Sequence, residues 1–204
     1  MEDRKVLKVS PVTLRRAQGD KNVMVSLTNH DENSSLTRLI AVVSIILLAV
    51  VARLVPHPPN FAPIGGLALF SGSHFKKKIA LLIPLAAMLI SDVFLGFHNT
   101  MIYVYASFFL AVLIGRLIKN NRWRSLALAS LTSSVLFFLI TNFGVWLSYS
   151  MYPKTLDGLF QSYLMGLPFF RNTILSDFFY TFSFFYGYQF LSNLSLAHIR
   201  GSKR

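Results

Sequence analysis

The chain contains no cysteine, which excludes disulfides, zinc knuckles and thiol catalysis together. Acidic residues are almost as scarce: beyond Glu32 only Asp92, Asp157 and Asp177 remain. Without a glutamate pair there is no ready general acid and base. There is no His-Glu-x-x-His, no Gly-x-Ser-x-Gly and no phosphate-binding glycine loop. His57, His74 and His98 share no ligand spacing, so neither a metal site nor a cofactor is expected. The residues offer no enzyme chemistry.

Charge as a whole is short. Only 14% of the chain is charged, whereas a soluble domain carries roughly a quarter. In its place 53% of the residues are hydrophobic and mean hydropathy is +0.52, so lipid is the expected solvent. The formal net charge of +12 does not point to nucleic acid. The basic residues stand in short clusters between apolar runs, as membrane topology requires, and form no stripe on an ordered domain.

Residues 1–35 are polar and basic and lack helical apolar periodicity. Pro11–Asp20 and Met24–His30 read as translated bacterial intergenic repeat sequence, consistent with a start site assigned too far upstream. This tail is expected to be disordered. The first apolar run begins near Thr37 and lacks a cleavage site, so it reads as a retained helix and not as a signal peptide.

Six apolar segments follow, at 37–55, 61–75, 78–97, 100–118, 125–148 and 172–194. About 20 apolar residues cross a 30 Å hydrocarbon layer. The second segment is short and holds Pro63 and Gly65-Gly66, so it reads as a short crossing or a re-entrant segment. Lysine and arginine bias settles the orientation. With six crossings, Lys76–Lys78, Arg116, Lys119, Arg122, Arg124, Arg200, Lys203 and Arg204 all fall inside. Only Arg53, Lys154 and Arg171 fall outside. The expected architecture is an all-α, polytopic membrane bundle of about six transmembrane helices over 36–196, with both termini inside. A cytoplasmic tail over 197–204 completes it. In the outer connection, Thr155–Leu167 has the spacing of a short interfacial amphipathic helix.

Ionisable groups inside membrane segments are costly, at about 2.5 kcal/mol or more each, and need a reason. Helical rise puts Asp92 roughly 21 Å and Asn142 roughly 27 Å from the inner surface. Asp177 falls roughly 9 Å below the outer one. Asn60, Trp146, Arg171 and Asn172 stand at the same outer level. One polar layer fed by several helices suggests an outward-facing pocket for a small solute. Its expected contacts are Asp92, Asn142, Arg171, Asn172, Asp177, Trp146 and Asn60. The acids would hold a cationic or hydrogen-bond-donating group, and Arg171 would meet a carboxylate or offset excess charge. Plainer roles stand beside this: Trp146 as an interfacial anchor, Asn142 as a link between helices, and either acid paired with Arg171. Among the aromatics crowding Phe178–Phe190, a minority would stack on a flat ligand.

Four blocks carry a family resemblance: Pro59-Asn-Phe-Ala-Pro-Ile-Gly-Gly-Leu-Ala-Leu-Phe-Ser-Gly72, Pro84-Leu-Ala-Ala-Met-Leu-Ile-Ser-Asp92, Thr141-Asn-Phe-Gly-Val-Trp146 and Gly166-Leu-Pro-Phe-Phe-Arg-Asn-Thr-Ile-Leu-Ser-Asp177. Over about 37–195 the chain resembles a family of uncharacterised bacterial membrane proteins associated with transport. That family is in turn similar to the substrate-binding S components of energy-coupling-factor (ECF) importers. The resemblance implies a six-helix bundle in the bacterial inner membrane that binds a solute near its outer face. It also implies a partner transmembrane scaffold with paired ATPases. The Ala-x-x-x-Ala docking motif of S components is absent, since Ala41, Ser44, Ala49 and Ala52 are spaced otherwise. A proton-coupled secondary carrier using Asp92 and Asp177 is the alternative, and a structural or assembly protein the third reading.

Overall fold

A computed structural model describes residues 39–201. Six helices and no strand are found among them: α1 Leu39–Leu54, α2 Ile64–His74, α3 Lys77–Leu95, α4 Met101–Leu117, α5 Trp123–Ser148 and α6 Leu156–Gly201. Residues from Ile45 onward form one compact unit. Those up to Ser44 form another, of which only the opening of α1 is described. The 1–35 tail lies outside the described residues.

The centre of the bundle is α2. It has 11 residues, and Ile64 through Gly72 are all buried. At about 16 Å it is too short to cross a bilayer. Four neighbours (α3, α4, α5 and α6) surround it. A glycine on each side allows this at α4: a Cβ on Gly72 of α2 would lie 2.2 Å from the Val112 carbonyl, and one on Gly115 of α4 would lie 2.2 Å from the Leu69 carbonyl. Small residues at such a crossing let two backbones touch, which is how helices gain packing energy where no hydrophobic effect drives them together.

Pro84 interrupts α3, and its missing N–H leaves the Ala80 carbonyl without a helical partner. Ser71 of α2 donates to that carbonyl at 2.8 Å. The proline's cost is thus met from the neighbouring helix.

One expectation for the chain's second half is overturned. Residues 149–171 are not a long connection holding a separate interfacial helix. Leu156 to Gly201 is a single helix of 46 residues, about 69 Å long, and it continues through Pro168. Buried Gly158, Ser162 and Gly166 make a small-residue stripe at four-residue spacing in its first half, and α6 packs against α5. The polar Arg171-Asn172 pair that reads as a helix start is mid-helix. α6 runs on to Gly201, past the expected end of the transmembrane domain at 196.

α3 and α5 are long and apolar enough to cross a membrane, and α1 and α4 are shorter apolar helices. In α5 only 28% of the most apolar stretch is buried, and in α3 39%. A core helix of a soluble protein would be mostly covered. Leu82, Leu89, Val93, Ile102, Leu128 and Phe179 are each more than half exposed, so apolar surface runs around several sides of the unit.

Candidate functional site

A cavity of about 760 Å³ opens between the helices at the end opposite Lys76–Lys78. Three helices line it with one stripe each: Thr100, Val104 and Phe108 before and on α4; Ser133, Phe137, Thr141 and Val145 on α5; and Phe169, Thr173 and Asp177 on α6. Each set repeats every four residues, so each is a single helical face. Exposed His57, Pro59, Asn60 and Met151 form the rim, whereas Ser133 and Asp177 are buried at the floor. From Val145 to Ser133 the depth is about 18 Å.

The α1–α2 connection makes the fourth wall. Pro56, Pro58, Pro59 and Pro63 keep it out of helix, and Asn60 turns it with φ 61°. Asparagine tolerates that left-handed conformation better than most residues. The carbonyls along it are answered locally: Phe61 N–H donates to Pro58 O at 2.9 Å, Asn172 Nδ2 to Pro59 O at 2.9 Å, and Ser176 Oγ to Ala62 O at 2.8 Å. The connection is exposed along 55–60, at the rim, and becomes buried only as it reaches Pro63 and enters α2.

This connection delivers the N-terminus of α2 to Asp177. A Cβ on Gly65 would sit 1.9 Å from Asp177 Oδ1, so only glycine lets the carboxyl rest against the first turn of the helix. The positive end of a helix favours a negative neighbour. Ser134 Oγ donates to Asp177 Oδ2 at 2.6 Å. No lysine, arginine or histidine among the described residues pairs with Asp177, which is 4% exposed.

Asp92 has a different setting. It is buried and does not line the cavity. Arg53 Nη1 lies 2.7 Å from Asp92 Oδ1 and donates to Ser91 Oγ at 2.6 Å and Met88 O at 3.3 Å. Tyr105 donates to Asp92 Oδ2 at 2.8 Å. The partner of the acid is therefore Arg53, not Arg171. Arg53 itself lines the cavity.

Of the seven residues expected to bind solute, Asn60, Asn142 and Asp177 line the cavity and Asp92 stands behind Arg53. The other three do not line it either. Arg171 is exposed on α6, and Asn172 braces Pro59. Trp146 donates from Nε1 to Pro153 O at 2.8 Å, beneath the Lys154 ammonium that caps the Leu147 and Tyr149 carbonyls. The single polar layer is corrected too. Ser162 on α6 reaches the Asn142 carbonyl, but Asp177 meets Ser134, about 12 Å further along α5. The polar groups descend a shaft. The aromatic run from Phe178 to Phe190 contributes nothing to the lining. Phe185 instead packs with Phe70 and His74 below the floor.

Arg53, Phe108, Phe137, Phe169 and Thr173 are lining residues that sequence reasoning misses. The four-residue stripes on α5 and α6 are the available signal. Among the described residues no cluster of histidine and carboxylates is arranged to hold a metal.

No curated protein and no solved structure matches the chain. A family model does match, over residues 33–198, and spans every helix around the cavity. The chain belongs to DUF6580, a family of unknown function.

Proposed function

We propose that this is a multi-pass membrane protein of the bacterial inner membrane that binds a small solute from the outer side and takes part in its transport. One observation carries the reading. Asp177, a buried carboxyl with no cationic partner among the described residues, stands at the floor of a deep cavity beside the N-terminus of a half-length helix. Broken helices that meet ligands near the membrane middle are a recurring device of carriers. The lipid setting is supported by the exposed apolar perimeter and by the clustering of Lys76–Lys78, Lys119, Arg122 and Arg124 at one end. That basic end would face the cytoplasm and the cavity rim the exterior.

The absence of cysteine makes the orientation directly testable. Thr155→Cys is expected to react with an impermeant maleimide on intact cells, and Lys77→Cys only in inverted vesicles. Labelling of both from one side contradicts the proposed topology.

Native mass spectrometry of the full-length protein, purified in mild detergent, tests binding. A small-molecule adduct is expected on the wild type and is expected to be lost in Asp177→Asn, which keeps the volume and removes the charge. An adduct indifferent to that change contradicts the role given to Asp177. No adduct on the wild type, even after incubation with a cell extract, contradicts solute binding.

S-component-like work with a transmembrane scaffold and ATPases is one form of this function. A proton-coupled carrier is the other, favoured by the same carboxyl, since a group that holds no cation and meets only the neutral Ser134 hydroxyl can exchange a proton with each cycle. Uptake stopped by an uncoupler but indifferent to ATP depletion would select the carrier. A purely structural role would call for a filled interior with both acids paired, whereas among the described residues only Asp92 is.

A further inference from the structure

We infer that the cavity is a two-ended site for an elongated solute with a cationic group over Asp177, an anionic group at Arg53 and an apolar or aromatic body between them. The inference rests on the solute-binding reading above and names its ligand class.

The lower end is set by Asp177, whose one hydrogen bond among the described residues comes from the neutral Ser134 hydroxyl. The upper end is Arg53. All its side-chain bonds to the described residues run through Nη1, so Nε and Nη2 make none there, and its side chain is 15% exposed on the cavity wall. Asp92, held in turn by Tyr105, fixes the guanidinium on one edge and leaves the other edge to the cavity. A guanidinium edge so held is a charge-assisted donor pair suited to a carboxylate.

The separation of the two ends follows from the register of α4 against α5. Their Phe108 and Phe137 rings lie 5.2 Å apart, which sets the antiparallel pair. Tyr105, which reaches Asp92, is three residues from Phe108 toward the rim. Ser134, which reaches Asp177, is three residues from Phe137 toward the floor. At the helical rise the two polar ends stand about 9 Å apart along the axis. Phe108 and Phe137 line the space between them. A simple α-amino acid carries both charges on one carbon and cannot span this distance. An extended tripeptide can, since three residues cover about 10 Å.

The tripeptide Gly-Phe-Gly therefore serves as a ruler, with its N-acetyl form, its C-terminal amide and free phenylalanine as comparisons. Binding is read by equilibrium dialysis against the full chain in lipid nanodiscs. The free tripeptide is expected to bind at least tenfold more tightly than either blocked form or phenylalanine. In Asp177→Asn the advantage over the acetylated form should disappear while that over the amide remains. Equal binding of free and blocked peptides, or phenylalanine binding as well as the tripeptide, overturns the two-ended site. So does a co-purified solute that lacks either charge, in which case solute binding survives. If no probe binds and no solute co-purifies, the solute-binding reading falls and this inference with it.

Discussion

Arg53→Ala is expected to destabilise the protein by about 3–5 kcal/mol, because it leaves a buried carboxylate without its cation. Asp92 is 1% exposed, and its remaining support is the Tyr105 hydroxyl. The loss should be read as a shift in unfolding midpoint, in detergent or mixed micelles. Much of that figure is the penalty of the orphaned charge and not the net worth of the pair. A double change, Arg53→Met with Asp92→Leu, should therefore recover most of the stability, as apolar replacement of buried pairs often does. An Arg53→Ala protein that unfolds like the wild type would mean that water reaches Asp92.

Gly115→Ala is the second large effect, with an expected loss of about 2–3 kcal/mol from overpacking. The added methyl meets backbone, the Leu69 carbonyl and Cα, and backbone cannot swing aside as a flexible side chain can. Gly72→Ala on the facing helix strikes the Val112 carbonyl and should cost a similar amount. Gly187 supplies the control: it is helical and exposed, and nothing lies within 4 Å of the place a methyl would take. Alanine there should stabilise by about 0.5–1 kcal/mol through helix propensity alone. Comparable losses at Gly115 and Gly187 would mean that α2 and α4 do not touch as described.

The contrast between these glycines shows where sequence reading succeeds and fails. Apolar runs between basic clusters locate the first five helices and the second half of α6, because chain-local hydropathy is what places a helix. Proline and glycine at 63–66 single out the short second segment for the same reason. Register between helices is not local. Arg171-Asn172 looks like a helix start and so puts Asp177 near one surface, yet α6 begins fifteen residues earlier, at Leu156, and the acid sinks accordingly. Arg53 looks like a flanking charge, because nothing in its own neighbourhood reveals that the end of α1 meets Ser91 and Asp92 on α3. Asn60 and Asn142 are legible because a polar residue among prolines or within an apolar run stands out in one dimension. The four-residue stripe from Ser133 to Val145 is present in the sequence too, but a mixed run of Ser, Phe, Thr and Val resembles ordinary packing.

The hydroxyl of Ser71 has a mechanical corollary. It clasps the one carbonyl that Pro84 sets free, across a hairpin turn of only two residues. Prising α2 from α3 would strand that buried oxygen without a partner. Any motion that opens the floor of the shaft should therefore carry the two helices as one lever. Its hinges would be the proline-rich stretch before Ile64 and Gly96, whose φ of 93° already marks a bend beyond the end of α3.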